Sequence, residues 1–508
     1  MSTPGRTLGP RQPLANPEPA QHALPHPRTH TWILLGLAAG ACAGLAWYVA
    51  APSHNGLLLA LSCAITMIPF GCAHLAAPQR ILQPISLLGF TMLLGIVGQT
   101  AFLLMAATPQ EADDLLSGVG TDGLARGLLA TAAATVALGI GFLAASPVKR
   151  SSALVQVFAS MPRPKADRLD WIIAILLLVG FLSFALYVAT VGASSPAELF
   201  TSRKRFGEVS GEPTSHGHLR LGISMASIAG MLAVYALAER LAPMRSRTGL
   251  LAALSFVITF TAAFFTSSRA SLFFPLLICL ITAISVRARE PRPTVLALAV
   301  GIAVFSLAVL ADARATGQGA STDTERHSIL KTVVAGRQWM DIGPISAVIT
   351  KVPDAVPYQR GWSLVSWTWA PIPRVLWPEK PPVRLAPEIS PAVFGYTHRR
   401  KTGDPPGYFA ELWLNGGLLA LCTGAFILGA LLRWIDGFRV HAPGTHGITA
   451  LPYAVLMAVF GLSLPIGDVT GSVMLLASTL PFLLAAVWLS TRGQPAATTG
   501  LVPHQNGA

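Results

Sequence analysis

Residues 312–407 hold the groups most capable of chemistry in this 508-residue chain. The segment carries eight Arg and four Lys against eight carboxylates, and it includes PIPRVLWPEKPP at residues 371–382. The planar guanidinium of Arg pairs bidentately with phosphate oxygens, so Arg374 predicts a contact with a phosphorylated ligand. Lys380 is a second cation for the same ligand or for a glycan. Alternatively, both side chains anchor the segment at membrane headgroup depth beside neighbouring Trp residues.

A second group of basic side chains could reach the same ligand. Residues 203–205 read Arg-Lys-Arg, and Arg203 and Arg205 are the better phosphate ligands of the three, although a solvated charge run is an equal alternative. Arg314 lies three residues after the apolar run at residues 295–311. Arg269 separates two apolar stretches, where an ionisable side chain is costly and functional by default. Snorkelling to the interface is the alternative for Arg269.

Glu411 is the carboxylate best placed to act as a general base, because it lies just inside an apolar run, where burial tunes acid–base chemistry. The alternative is a helix-start carboxylate stabilised by the helix dipole. Asp404 is a weaker candidate, since Asp in a Gly/Pro-rich turn usually bonds its own backbone. His398, His216 and His218 are expected to be exposed loop residues, and two His alone make a poor metal site.

The 312–407 segment is also rich in aromatic residues. These side chains offer faces for sugar rings, or they belong to a small amphipathic domain that rests on the membrane surface. Residues 343–351 predict a short interfacial helix in such a domain. The aromatic residues are Trp339, Tyr358, Trp362, Trp367, Trp369, Trp377, Phe394 and Tyr396.

The elements that must position these residues are membrane helices. The chain is 52% hydrophobic and only 12% charged, which excludes an ordinary soluble domain. A helix needs roughly 20 apolar residues to cross a hydrocarbon core, so twelve such runs predict an all-α polytopic membrane protein with about twelve transmembrane helices. The predicted spans are residues 31–51, 56–77, 81–108, 124–145, 171–191, 221–241, 250–266, 271–286, 295–311, 409–432, 448–466 and 471–489.

The distribution of Arg and Lys gives an orientation, because short cytoplasmic connections retain basic residues. Basic residues precede the first span and recur at every second connection, which places both termini in the cytoplasm. Residues 192–220 and 312–407 then form two long loops outside the membrane. Residues 1–30 and 490–508 are expected to be disordered cytoplasmic tails around a membrane domain at residues 31–489.

Signatures of other enzyme classes are missing from the sequence. It contains no GxxxxGK[ST], no HExxH and no GxSxG motif, and all five Cys lie in predicted spans. A nucleoside triphosphate is not available outside the membrane. A group transfer there needs a substrate already activated in the membrane, such as a lipid diphosphate, and the chemistry needs no metal or other cofactor. No feature indicates a nucleic-acid partner.

The order of these features resembles that of bacterial oligosaccharide repeat unit polymerases, the Wzy-type O-antigen polymerases. Roughly residues 170–430 carry the resemblance, and the PR-x-LWP-x-KP stretch is its most specific part. The resembling pieces are Glu198 to Gly211, Ser267-Ser268-Arg269-Ala270-Ser271, Asp312-Ala313-Arg314, Ile372 to Pro381, and Gly407 to Gly417.

The resemblance implies a glycosyltransferase C-like membrane architecture with a large outer loop and a cavity open to the outside. It also implies transfer of a glycan from polyprenyl diphosphate to an incoming lipid-linked repeat unit in the bacterial inner membrane. Arg374, Arg269 and Glu411 are then the expected catalytic residues, while Arg203, Arg205, Arg314 and Lys380 are expected to bind substrate. Membrane lipids, a flippase and a chain-length regulator are the expected partners.

Two rival functions stay open. An O-antigen ligase has a similar number of spans and one dominant outer loop, and it transfers the finished glycan to a lipid A core. A transporter or flippase would use the same number of helices without covalent chemistry, although a hundred-residue outer loop is unusual for a carrier.

Overall fold

The computed structural model describes residues 29–51, 54–78, 80, 82–105, 108–147, 161–191, 217–265, 269–287, 339–372, 376–383, 386–395, 405–440 and 447–492. The described residues form helices and connections, with no β-strand among them. This confirms the all-α prediction for that part of the chain.

Fifteen α-helices are described. They are α1 (Thr29–Ala50), α2 (His54–Ala76), α3 (Pro84–Met105), α4 (Pro109–Leu116), α5 (Gly120–Ala144), α6 (Ala166–Val191), α7 (Gly217–Ala238), α8 (Arg247–Phe265), α9 (Arg269–Arg287), α10 (Ile342–Lys351), α11 (Trp362–Val365), α12 (Ala386–Phe394), α13 (Tyr408–Val440), α14 (Ala450–Ile466) and α15 (Val469–Thr491). Two of them contain π-helical turns, α3 at Leu93–Gly98 and α14 at Val459–Ser463.

Nine of the described helices are long and apolar enough to cross a membrane, namely α1, α2, α3, α5, α6, α7, α8, α13 and α15. Eleven of the twelve predicted spans coincide with a described helix, with the shorter apolar segments of α9 and α14 accounting for two of them. The predicted span at residues 295–311 lies outside the described residues. The structure therefore supports a polytopic membrane protein, and the count of twelve stays a prediction.

Close approach of backbones holds the helices together, as expected where lipid provides no hydrophobic drive between them. A Cβ added to Gly429 of α13 would lie 2.0 Å from the Leu138 carbonyl oxygen of α5. A Cβ added to Gly56 of α2 would lie 2.4 Å from the Gly44 carbonyl oxygen of α1. Larger side chains at these glycines would force the helix pairs apart.

An ion pair ties the α2–α3 connection to the last turns of α13. The Arg80 guanidinium donates to both carboxylate oxygens of Asp436, each at 2.9 Å, and Asp436 is buried. Arg433 lies 3.6 Å from the same carboxylate. Both regions carry basic residues that the charge pattern assigns to the cytoplasmic side. The structure places them at one end of the bundle, and which side of the membrane that end faces stays a prediction.

Helix α10 lies inside the bundle, so the prediction of an interfacial helix at residues 343–351 is wrong. All eight residues from Ile342 to Ile349 are buried. A Cβ on Gly127 of α5 would lie 2.0 Å from Ser346 Oγ, and one on Gly123 would lie 3.2 Å from Thr350 Oγ1. The small polar side chains of α10 thus pack against glycines of α5 rather than facing headgroups.

The same contacts give the direction of α10. Its end, near Thr350, lies level with the first turn of α5, and its start reaches further into the bundle. The Ile342 N–H donates to Gln99 Oε1 of α3 at 3.1 Å, and Gly95, in the middle of α3, touches the Met340 backbone. Part of the segment predicted as an outer loop therefore returns into the bundle as a half-length helix.

Candidate functional site

Glu411 lies in the first turn of α13 with only 1% of its surface exposed. Its Oε2 accepts a hydrogen bond from the Val469 N–H at 2.8 Å. Val469 is the first residue of α15, where backbone N–H groups have no partner within the helix. The carboxylate therefore meets the positive end of a helix dipole, and it joins the starts of two membrane helices.

Two neighbouring side chains complete a network around Glu411. The Ser363 side chain of α11 lies beside the Glu411 carboxyl. Asn415 Nδ2 donates to Ser363 Oγ at 2.7 Å and to the Glu411 carbonyl oxygen at 2.7 Å, while Asn415 Oδ1 accepts from the Gly361 N–H at 2.8 Å. Every donor and acceptor of the Asn415 amide is thus engaged. We call Glu411, Asn415, Ser363, Gly361 and Val469 the Glu411 network.

The backbone of α13 breaks immediately after Asn415. Gly416 and Gly417 depart from helical geometry, and Gly417 has φ +62° and ψ −147°, a conformation that is essentially restricted to glycine. The Gln359 N–H donates to the carbonyl oxygen of Leu414 at 2.9 Å, which supplies a partner that the interrupted helix lacks. Irregular backbone at a membrane helix is tolerated where protein covers it, and here Gly417 is buried while Gly416 is exposed.

Lys380, predicted to bind substrate, lies in a folded turn. Its Nζ donates to the carbonyl oxygens of Ala370 at 3.0 Å and Ile372 at 2.7 Å, and the residue is 8% exposed. These bonds tie Lys380 to the backbone at Ala370 and Ile372. The contacts show a structural use of the ammonium group, and its contact with a ligand stays a prediction.

The same turn presents aromatic and aliphatic side chains outward. Trp362 and Trp369 pair with ring centroids 4.6 Å apart, while Trp362, Leu376 and Trp377 are exposed. Ser366 joins this surface to α15 through hydrogen bonds to the Thr470 hydroxyl and to the Val383 carbonyl oxygen. The exposed faces suit both interpretations made from the sequence, glycan stacking and contact with lipid.

Most of the predicted arginines lie outside the described residues. Arg203, Arg205, Arg314 and Arg374 do so entirely, as do His216, His398 and Asp404. Arg269 is the first residue of α9, which agrees with its predicted place between two apolar helices, but its side chain is outside the described part. Of the predicted site residues, only Glu411 and Lys380 have described side chains.

The described residues contain no cluster of three or more His, Cys, Asp or Glu side chains that could hold a metal ion. The five cysteines are not joined in disulfides. The Glu411 network offers acid–base and hydrogen-bonding chemistry centred on a buried carboxyl.

Comparisons of the chain with protein-family models, curated proteins and solved structures found no match. The function is therefore inferred from the chain's own residues and their geometry.

Sequence reasoning missed Asn415 and Ser363. Asn415 had a usable signal, because it follows Glu411 by four residues and thus lies on the same helix face. Ser363 had none, since it reaches the network from a segment about 50 residues earlier, through a contact that no local pattern encodes.

Proposed function

We propose that this protein polymerises polyprenyl-diphosphate-linked oligosaccharide repeat units at the outer face of the bacterial inner membrane, with both termini in the cytoplasm. The polytopic helical fold supports this proposal. So does the basic, aromatic segment that is folded against the starts of α13 and α15. The single observation that carries it is the Glu411 network, which holds one carboxyl between that segment and two membrane helices.

The proposed reaction is a glycosyl transfer. A sugar hydroxyl of the incoming unit attacks the anomeric carbon of the growing glycan, and the bond from that carbon to the diphosphate oxygen breaks. Glu411 takes the hydroxyl proton, and polyprenyl diphosphate leaves with the bonding electron pair. Arg374 and Arg269 stabilise the charge that develops on the departing diphosphate. Arg203, Arg205, Arg314 and Lys380 hold the lipid-linked substrates.

Access to Glu411 requires a movement in this scheme. The carboxyl is covered, bonded to the Val469 N–H and flanked by Ser363, so a sugar hydroxyl reaches it only when residues 361–366 move away. The break at Gly416 and Gly417 lies next to these residues and provides backbone freedom at that position.

The test is chain extension by the purified full-length protein. Synthetic polyprenyl-diphosphate repeat units, matched to the host polysaccharide, are supplied in detergent with and without EDTA, and product length is followed on gels. A ladder that survives EDTA and disappears in Arg374→Ala supports a metal-independent polymerase. Absence of a ladder from folded wild-type protein contradicts the proposal, and transfer only onto a lipid A core indicates the ligase.

A transporter of lipid-linked sugars is the second candidate, and two observations favour it. Helix α10 begins halfway into the bundle, and α13 is interrupted, both of which are features of transporters with binding sites between helices. Transfer of the same lipid across a reconstituted bilayer, without any change in glycan length, would establish this function instead.

A further inference from the structure

The start of α10 concentrates buried polar atoms that lack hydrogen-bond partners among the described residues. They are Gln99 Nε2, Thr131 Oγ1 and Ser346 Oγ. Gln99 is 1% exposed, and Thr131 and Ser346 are not exposed at all. Inside an apolar bundle such atoms carry an uncompensated desolvation cost, so each one requires an explanation.

These three side chains meet at one place. Gln99 accepts from the Ile342 N–H at 3.1 Å, which puts its amide at the first residue of α10. Ser346 is one helical turn further along, and it fills the notch left by Gly127 of α5. Because α5 and α10 run antiparallel, Thr131, one turn beyond Gly127, lies level with Ile342. The three polar groups therefore surround the first turn of α10.

The hydrogen-bonding capacity of this region indicates a neutral ligand. The N–H groups at the start of α10 are already used, since Gln99 accepts from Ile342 and Asp341 Oδ1 accepts from Gly343 at 3.0 Å. Pro344 has no N–H. An anion would thus find no backbone donor here, and it would face the Asp341 carboxylate. One amide donor and two hydroxyls, which both donate and accept, match water.

We propose that Gln99, Thr131 and Ser346 enclose ordered water at the start of α10, halfway along α3. The π-helical turn at Leu93–Gly98 widens α3 directly before Gln99. This pocket is independent of the proposed polymerase activity and would exist equally in a transporter.

Radiolytic footprinting tests the proposal, because X-ray pulses convert bound water into hydroxyl radicals that oxidise adjacent side chains. Met340 is a natural reporter, because it is fully buried, lies two residues before Ile342 and has its backbone packed against Gly95. Met457 of α14 is equally buried, in the other apolar cluster, and is the control. The full-length protein in detergent should oxidise Met340 at least about fivefold faster than Met457. If Met340 and Met457 are oxidised at the same background rate, the proposal is wrong.

Local opening of the protein could also expose Met340 to radicals from bulk water. A substitution at Thr131, paired with a control at Thr135, separates that effect from oxidation by bound water. Thr131→Val removes one water ligand at constant shape, so it should reduce Met340 oxidation about twofold without raising the Tm. Thr135→Val is the matched control, since the Thr135 hydroxyl already donates to the Thr131 carbonyl at 2.7 Å, and it should leave Met340 oxidation unchanged. A higher Tm for Thr131→Val shows that the hydroxyl is dry and unpaired, which contradicts the pocket.

Discussion

Two polar regions of the bundle differ in how their hydrogen-bonding groups are satisfied. In the Glu411 network, the Asn415 amide uses all its donors and its acceptor within the protein. At the start of α10, Gln99, Thr131 and Ser346 keep polar atoms without partners among the described residues. A satisfied network fixes one geometry, whereas an unsatisfied one loses free energy unless a ligand fills it. The first region is therefore built to hold a side chain, and the second to hold solvent.

The largest effect on stability should come from Asn415→Leu. The substitution leaves the Gly361 N–H, the Ser363 hydroxyl and the Glu411 carbonyl short of a partner, so we expect a loss of about 3 kcal/mol in unfolding free energy. Thermal unfolding in detergent measures it. Asn415→Asp keeps the acceptor for the Gly361 N–H, so its unfolding free energy should fall between those of the wild type and Asn415→Leu. A Leu variant as stable as the wild type would show that the network contributes nothing.

The next effect concerns the break in α13. Gly417→Ala should cost about 2 kcal/mol, because its backbone conformation is restricted to glycine and the Tyr358 hydroxyl lies 3.0 Å from the new Cβ position. Gly416→Ala is the matched control, since its φ of −177° is open to any residue. Comparison of the two Tm values checks this. Equal shifts would argue that the strained position is not maintained in the folded protein.

A smaller effect is expected from Ser363→Ala. It removes the acceptor for one Asn415 N–H, and we expect a loss of about 1 kcal/mol. The same unfolding measurement applies. If the Ser363→Ala loss equals that of Asn415→Leu, the serine rather than the asparagine is the centre of the network, and the ranking of these residues is wrong.

The contrast between the two regions also shows what the sequence could predict. Apolar runs predicted eleven described helices, since length and hydropathy are local properties. Glu411 was found because a carboxylate inside an apolar run stands out. Its contact with Val469 crosses 58 residues, and no local pattern encodes it. The interfacial assignment of residues 343–351 failed because the partners of Ser346 and Thr350 are glycines on another helix.

The proposed role of Glu411 as the general base is the central claim, and chain extension by Glu411→Gln tests it most directly. Gln preserves an acceptor for the Val469 N–H but cannot take the proton, so the extension rate should fall at least about a hundredfold while the Tm changes little. Asp354→Asn is the control, because Asp354 is an exposed carboxylate to which no catalytic role is assigned. The control variant should extend glycans at the wild-type rate. A folded Glu411→Gln variant that extends glycans at the wild-type rate would contradict the account and leave Glu411 as a structural residue that joins α13 to α15.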